Sequence, residues 1–303
     1  MIFEWTLVLL IIYFGWKYFE LWKLKKHDDK VNFKNKVVLI TGASSGIGKQ
    51  MALDFNRLGA EKVIICARRT EELQKVKDSC QFPEKIDIVK MDLADITSLK
   101  TQAQNLAREY KIDILVNNGG TSMRDEFKNI ELDMVTTMMN ANYLSGVCLA
   151  RYIGESMVQR KSGHIVNINS ISGLFPTPVR TIYCASKFAM NIFSSSIRGE
   201  LKNDNIHVTD IYPGYVQTNI SKNALTGDGN SFGKVDENIG KGLKVEDAVR
   251  IMLNGVFYKH NRVMVCGMAY VLAVFFGNAS EELMLLFSRF KYKSQLKAMA
   301  KAT

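Results

Sequence analysis

Short apolar runs alternate along this chain with longer segments whose apolar positions recur every three or four residues. The runs fall at residues 36–40 (KVVLI), 63–66 (VIIC), 86–89, 112–116, 164–168, 206–212 and 262–266. A continuous apolar run bounded by turn residues predicts a strand buried on both faces. Helical periodicity predicts amphipathic helices over 49–58, from the third strand to about residue 110, and over 245–258. Strands alternating with helices predict one α/β domain: a doubly wound, seven-stranded parallel sheet with helices on both faces. We place this domain at residues 36–268, after a polar linker at 27–35.

Three stretches depart from the alternation. Residues 217–243 carry Gly227, Gly229, Gly233, Gly240 and Gly242. They read as a mobile lid over an active site, or else as a solvated insertion. The carboxyl segment 269–303 is apolar first and basic afterwards. Its two apolar stretches, 268–276 and 281–290, are too short and interrupted for a membrane span. They are expected to pack as core, to line a greasy substrate mouth or to dip into a membrane interface. At the other end, residues 5–16 are uncharged, and Lys17 and Glu20 then break the run. Tilt and snorkelling extend it to Trp22, so residues 1–26 predict an uncleaved, single-pass membrane anchor with a basic flank. A monotopic amphipathic anchor is the alternative. Lys17, Lys23, Lys25 and Lys26 stand after the run while only the terminal amine and Glu4 precede it, which places the domain in the cytosol.

Composition narrows the classes. The 303 residues are 47% hydrophobic with four prolines, enough for a full core and unlike a disordered chain. The net charge of +10 is spread out, without a basic block interleaved with aromatics, so no nucleic-acid partner is predicted. The five cysteines are scattered and contain no C-x-x-C, which suggests neither a disulfide framework nor zinc. The four histidines show no ligand spacing, and no metal is predicted.

Candidate chemistry clusters at strand ends. Between the first strand and the first helix lies Thr41-Gly42-Ala43-Ser44-Ser45-Gly46-Ile47-Gly48. Glycines at this spacing let the backbone approach a pyrophosphate seated on the helix N-terminus, as in a Rossmann-type dinucleotide fold. The second strand ends in Ala67-Arg68-Arg69 where an NAD site usually has an acid. A guanidinium suits the 2′-phosphate of NADP(H), so Arg68, with Arg69 beside it, favours NADP(H) over NAD(H). After the third strand comes Asp92-Leu93. Asp92 either caps the next helix or bonds an adenine amino group. The fourth strand ends in Asn117-Asn118-Gly119-Gly120, a turn where open parallel sheets bind ligands. Tyr183 and Lys187 are four residues apart, on one face of a helix. Alone, such a pair is usually surface decoration. An ammonium near a phenol also favours the phenolate, giving the proton donor and acceptor that alcohol–carbonyl chemistry requires.

In this order the motifs resemble the short-chain dehydrogenase/reductase family over about residues 35–270. Thr41 to Gly48 resembles its TGxxxGxG turn, and Asn117 to Gly120 its NNAG motif with glycine in place of alanine. Ser170, thirteen residues before Tyr183, matches its serine, Tyr183 and Lys187 its YxxxK, and Asn142 its asparagine. Pro213-Gly214, with Val216 and Thr218, matches the turn around the nicotinamide. The hydrophobic N-terminus with LVNNGG, GYVQTNI and YCASK is similar to the membrane-anchored dehydrogenase/reductase member 7 group, relatives of 11β-hydroxysteroid and retinol dehydrogenases. The resemblance implies an NADP(H)-dependent oxidoreductase on an endoplasmic reticulum membrane. Its substrate would be a lipophilic alcohol or carbonyl such as a steroid, retinoid or aromatic ketone. Tyr183 would be general acid/base, Lys187 would lower its pKa and bond the ribose, Ser170 would hold the substrate oxygen, and Asn142 a relay water. The cofactor would be held by Thr41, Gly42, Ser44, Ser45, Gly46, Ile47, Gly48, Arg68, Arg69, Asp92, Leu93, Asn118 and Gly119 as well. A homodimer through the helices of Asn142 and Tyr183 is also implied. The rival readings are an NAD-linked dehydrogenase and a catalytically idle NADP(H)-binding scaffold. Cys184, beside Tyr183, is expected to be a structural thiol.

Overall fold

Seven parallel strands form one sheet in the order β3-β2-β1-β4-β5-β6-β7 in the computed structural model, which describes residues 15, 19, 23–26, 28–234 and 237–300. The strands are β1 (Val37–Thr41), β2 (Lys62–Ala67), β3 (Ile86–Lys90), β4 (Ile114–Asn117), β5 (Gly163–Ile168), β6 (Ile206–Pro213) and β7 (Arg262–Val265). All seven are the apolar runs of the sequence. β4 starts two residues late, because Asp113 is used at the strand edge: its carboxylate accepts from Val37 N at 3.0 Å.

Helices cover both faces. On one side lie α1 (Gly46–Arg57) and α2 (Thr70–Asp78), and on the other α3 (Ile96–Glu109). Successive strand residues point to opposite faces. Val38, Ile40, Val63 and Ile65 therefore meet Met51 and Phe55 of α1. Leu39, Ile64, Leu115 and Ile165 meet Leu99 and Leu106 of α3 on the far side. A second rod runs as α4 (Leu132–Met139), a π-helical turn (Asn140–Leu144) and α5 (Ser145–Gln159), and it packs against α3. The longest helix before the carboxyl end, α6 (Thr181–Glu200), carries Tyr183 and Lys187. It is followed by α7 (Glu237–Gly240), α8 (Val245–Phe257), α9 (Met268–Ala279) and α10 (Glu281–Ala300).

The strand order reverses between β1 and β4, because the chain leaves β3 at one edge and returns to the centre. Loops at the carboxyl ends of those two strands splay apart there, which is where open sheets of this kind hold ligands.

Some expectations change. The described residues of the polar stretch before β1, 28–35, pack on the domain: Val31 and Phe33 are buried, and the Phe33 ring meets Phe55 at 4.5 Å and Phe257 at 6.2 Å. Just ahead of that stretch, Asn254 donates to the carbonyls of Leu24 and Lys26. Much of the anchor predicted over 1–26 lies outside the described residues. Among the described residues no helix is long and apolar enough to cross a membrane. The carboxyl stretches are helices α9 and α10. Tyr270, Val271 and Val274 of α9 pack on a cluster of Ile171, Leu174, Phe175 and Tyr212, so this part lies at the cleft.

Candidate active site

The first wall of the cleft is the turn after β1. Gly42 (φ +65°) and Gly46 (φ +55°) occupy backbone conformations that side chains rarely adopt. A β-carbon on Gly48 would stand 2.5 Å from Gly42 O, so no side chain fits where α1 begins. Ser45 precedes that helix, its side chain makes no capping bond, and the first turn carries no acid. The N–H groups and dipole of α1 thus face a site suited to an anion. Gly42, Ser45, Gly46 and Ile47 line the cleft directly.

Thr41 and Asn118 are tied to each other by hydrogen bonds. Thr41 Oγ1 accepts from the N–H of Asn118 (3.0 Å) and of Gly119 (2.9 Å). Asn118 Nδ2 returns a bond to Thr41 O at 2.8 Å. The two residues brace the β1 and β4 turns against each other; Asn118 and Gly119 also line the cleft. Glycine at 119 has a local reason: a β-carbon there would stand 2.2 Å from Leu93 Cδ1, whose side chain fills the space.

At the adenosine end predicted from sequence, Arg68 is exposed, and Arg69, also exposed, reaches Ser44 Oγ at 3.1 Å. The second of the two arginines is thus the one tied to the glycine turn. Asp92 does not cap α3: it accepts from Ala94 N at 3.0 Å, while Asp95 is the cap, accepting from Ser98 N at 3.0 Å. The opposite wall is the segment after β6. Pro213, Gly214, Val216 and Thr218 all line the cleft, and Gly214 is fixed by donating to Val265 O at 3.0 Å. The lid segment is stitched down: Val216 bridges Leu243, and Leu225 bridges both Met123 and Ser231. Two of its glycines serve close approach, since β-carbons on Gly227 and Gly242 would fall 2.2 and 2.4 Å from the carbonyl oxygens of Asn129 and Tyr215.

Ser170, Tyr183 and Lys187 converge between these walls. Ser170 follows β5 and accepts from Ser172 N at 3.1 Å. Burial raises the Tyr183 phenol above its ordinary range; a hydrogen bond with Ser170 and the charge of Arg180 oppose that rise, and Cys184 adds to it. Burial brings the Lys187 ammonium down to about 8. Its Nζ donates to Ile168 O at 2.9 Å. Arg180, three residues before Tyr183, is a cation whose charge acts on that phenol. Cys184 donates to Thr177 O, and its thiol is raised mainly by burial.

Asn142 sits one layer behind, only 3% exposed, in the π-helical turn. Its Oδ1 accepts from Thr121 N at 2.8 Å. Its Nδ2 donates to Thr121 O and to Ser186 Oγ, each at 3.0 Å. The wider turn aims the amide inward, a local geometry frequent at functional sites. Phe175, Arg180 and Tyr215, which the sequence pattern did not flag, complete the cleft with Tyr270 of the apolar carboxyl stretch and Lys291 from α10. Arg180, three residues before Tyr183, had no sequence signal beyond that proximity.

Comparison with known proteins gives this geometry a context. The family model described as short chain dehydrogenase matches residues 36–228. Dehydrogenase/reductase SDR family protein 7-like of Drosophila melanogaster is 41% identical over 238 residues, 76% of this chain and 72% of that one. Dehydrogenase/reductase SDR family member 7B of Rattus norvegicus is 35% identical over 260 residues, 83% of this chain and 80% of the relative. Among solved structures, a short-chain dehydrogenase from Sphingobium yanoikuyae in complex with NADPH superposes with a TM-score of 0.69 at 25% identity, covering 82% of this chain and 95% of that one.

Proposed function

The chain belongs to the short-chain dehydrogenase/reductase family, and from that premise we propose that it is an NADP(H)-dependent oxidoreductase interconverting a carbonyl and an alcohol on a lipophilic substrate. The observation that carries the reading is the convergence of the Ser170 and Tyr183 hydroxyls with the Lys187 ammonium in the cleft that the glycine turn opens. The turn fits a dinucleotide: Gly42, Gly46 and Gly48 leave a cradle that a β-carbon would fill, beside an uncapped helix N-terminus. Arg68 and Arg69 follow β2, and Arg69 reaches the glycine turn at Ser44; guanidinium groups at this strand end suit a 2′-phosphate, which supports NADP(H). The NADPH in the Sphingobium structure is consistent with that reading.

When bound, the nicotinamide supplies or takes up the hydride. The protein handles the proton and the oxygen. In the reductive direction Tyr183 O–H protonates the developing alkoxide as general acid. Ser170 donates to the same oxygen, where its bond strengthens as negative charge develops. Burial keeps the Tyr183 phenol protonated, as the reductive role requires. Lys187 and Arg180 supply positive charge that stabilises the phenolate left behind. Asn142, held by Thr121 and Ser186, fixes the floor of the site and carries the relay to solvent. Ile171, Phe175, Tyr215 and Tyr270 give the substrate side apolar walls, which supports a lipophilic substrate.

Beyond the domain, the uncharged run at 5–16 and its basic flank support a membrane anchor, at the endoplasmic reticulum, with the catalytic domain cytosolic. Phe188 and Ile192, both 52% exposed on α6, support a homodimer through that helix.

The test is NADPH oxidation by the detergent-solubilised chain with a panel of steroid, retinal and aromatic ketones, run beside NADH and Tyr183→Phe. Turnover that needs NADPH and is lost in Tyr183→Phe is the expected result. Full activity of Tyr183→Phe would refute the mechanism, and a preference for NADH would refute the cofactor assignment. Tight NADPH binding without turnover on any ketone favours the idle scaffold.

A further inference from the structure

The two faces of α6 are inverted relative to an ordinary amphipathic helix. Its buried residues are Tyr183, Ser186, Lys187, Met190, Asn191 and Ser194, and all but Met190 carry a side-chain oxygen or nitrogen. Apolar Phe188 and Ile192 lie on the outside, each 52% exposed. A helix packed on a sheet normally buries its apolar stripe, and burying a polar group costs free energy unless it is hydrogen-bonded. Here the bonds are made. Ser186 Oγ donates to Tyr183 O at 2.8 Å, and Lys187 Nζ donates to Ile168 O at 2.9 Å. Ser194 Oγ donates to Met190 O and accepts from Asn167 Nδ2, each at 2.8 Å. Asn191 Oδ1 accepts from the Tyr212 hydroxyl at 2.6 Å. Lys187, Asn191 and Ser194 recur at helical spacing and form one stripe, which bonds to β5 at two points and to β6 at one. An apolar stripe tolerates small rotations and slides, whereas a set of directional buried bonds holds one arrangement.

The bond to β6 joins two walls of the cleft. Tyr212 is fully buried and immediately precedes Pro213 and Gly214, which line the cleft. Asn191 stands one helical turn beyond Lys187 on α6. The Tyr212 ring packs in the apolar cluster of Ile171, Leu174, Phe175 and Cys266. A phenylalanine ring would fill that cluster as well, so the hydroxyl is explained by its bond to Asn191. Burial, and then the charge of Asp210, push this phenol above its ordinary range against the opposing charges of Arg262 and Arg198, so it remains a donor. General acid catalysis requires the Tyr183 hydroxyl within hydrogen-bond reach of the reacting oxygen. A misplacement of about 1 Å costs on the order of 100-fold in rate.

We propose that Tyr212 is a positioning residue: through its bond to Asn191 it fixes the rotation and register of α6 against the wall that β6 builds, and so sets where Tyr183 and Lys187 stand in the cleft. Tyr212 is not among the described residues lining the cleft and acts through the helix. The Asn167–Ser194 bond backs the same register from β5, the strand that leads to Ser170. The proposal rests on the reading of this cleft as a carbonyl–alcohol site, and backbone hydrogen exchange tests it apart from turnover.

The experiment compares wild type, Tyr212→Phe, Asn191→Leu, the double variant and Ile64→Val, each as the full detergent-solubilised chain. Phenylalanine keeps the ring, and leucine has nearly the shape of asparagine. The double variant therefore replaces the bonded pair by a matched apolar one, a change that can be nearly neutral for stability. Ile64→Val trims the core on β2, with β1, β4 and β5 between it and β6, and controls for a general loss of stability. Turnover of 4-acetylbiphenyl, retinal and a steroid ketone with NADPH is measured beside urea midpoints and hydrogen exchange over residues 181–192 in saturating NADP+. Tyr212→Phe and the double variant should lose about 10- to 100-fold in kcat with KM held within about threefold, and should exchange faster over 181–192. The double variant should regain a midpoint near that of wild type without regaining kcat, and Ile64→Val should keep the wild-type kcat. A double variant that regains kcat together with its midpoint, or a Tyr212→Phe that loses no more kcat than Ile64→Val, would overturn the proposal. Where the double variant does not regain its midpoint, the comparison of those two single variants decides. Wild type without turnover on any of the carbonyls would remove the oxidoreductase reading instead. Exchange over 181–192 then decides alone: faster in Tyr212→Phe than in Ile64→Val upholds the tie, and equal rates overturn it.

Discussion

Lys187→Met should stabilise the protein near neutral pH while removing its activity. The wild-type ammonium is 6% exposed, and its described bond is the one to Ile168 O. Its fall from the ordinary 10.5 to about 8 corresponds to about 3 kcal/mol, at 1.36 kcal/mol per pH unit, for keeping the proton on the folded protein. Methionine has similar length and no charge to desolvate. Losing the bond to Ile168 O returns about 1 kcal/mol. The expected net gain at pH 7 is about 2 kcal/mol. Because the folded pKa lies below the unfolded one, the unfolded wild type binds more protons between about pH 8 and 10.5. Wild-type stability therefore rises with pH through that window relative to the variant. Urea melts of both proteins at pH 6.5 and 9.5 measure the difference. The variant's advantage should shrink to near zero at the higher pH. An advantage of the same size at both pH values, or a less stable variant at pH 6.5, would refute the desolvation argument.

Other perturbations probe separate parts of the site. Gly48→Ala should raise the dissociation constant for NADPH at least about tenfold, since the new methyl meets Gly42 O and displaces the turn; fluorescence titration reads it. Arg68→Ala with Arg69→Ala should lower the preference for NADPH over NADH by about 10- to 100-fold in kcat/KM, with Arg69→Ala alone giving the larger single effect because of its bond to Ser44. Asn142→Ala removes three hydrogen bonds, one buried and two part-buried, and should cost about 2–4 kcal/mol in denaturant unfolding, with turnover lost as well. Phe33→Ala should cost about 3–5 kcal/mol despite its position ahead of the first strand, because its ring is buried against Phe55 and Phe257.

Apolar runs located all seven strands because a strand covered on both faces leaves no polar position to blur the pattern. Helix starts were harder to place. α1 begins at Gly46, three residues before the periodicity is visible, since glycines carry no hydropathy signal. Tyr183 and Lys187 could be read because one helix fixes their spacing, whereas Ser170 was legible only through the family resemblance. Residues that act through tertiary contact escaped. The bond from Tyr212 to Asn191 joins β6 to the helix before it, and no pattern in either segment marks the pair. Asp92 and Asp95 are both plausible caps by type, and only the Ser98 bond separates them. The polar look of residues 27–35 hid Val31 and Phe33, two apolar positions too few to give a period.

The π-helical turn at Asn140–Leu144 bears on which changes of chain length this protein tolerates. Such a turn accommodates one residue more than an α-helical turn. Deleting a single codon there would let the rod relax to a continuous α-helix. Everything beyond would rotate by about 100°. Leu149, Ile153 and Met157, now buried against α3 and the sheet, would swing off the core, and Asn142 would lose its line to Thr121 and Ser186. Substitutions at Leu144, which is 39% exposed, leave that register intact. A scan of in-frame single-codon deletions along residues 132–159 should therefore find the π segment intolerant of any loss, while point substitutions at its outer face persist.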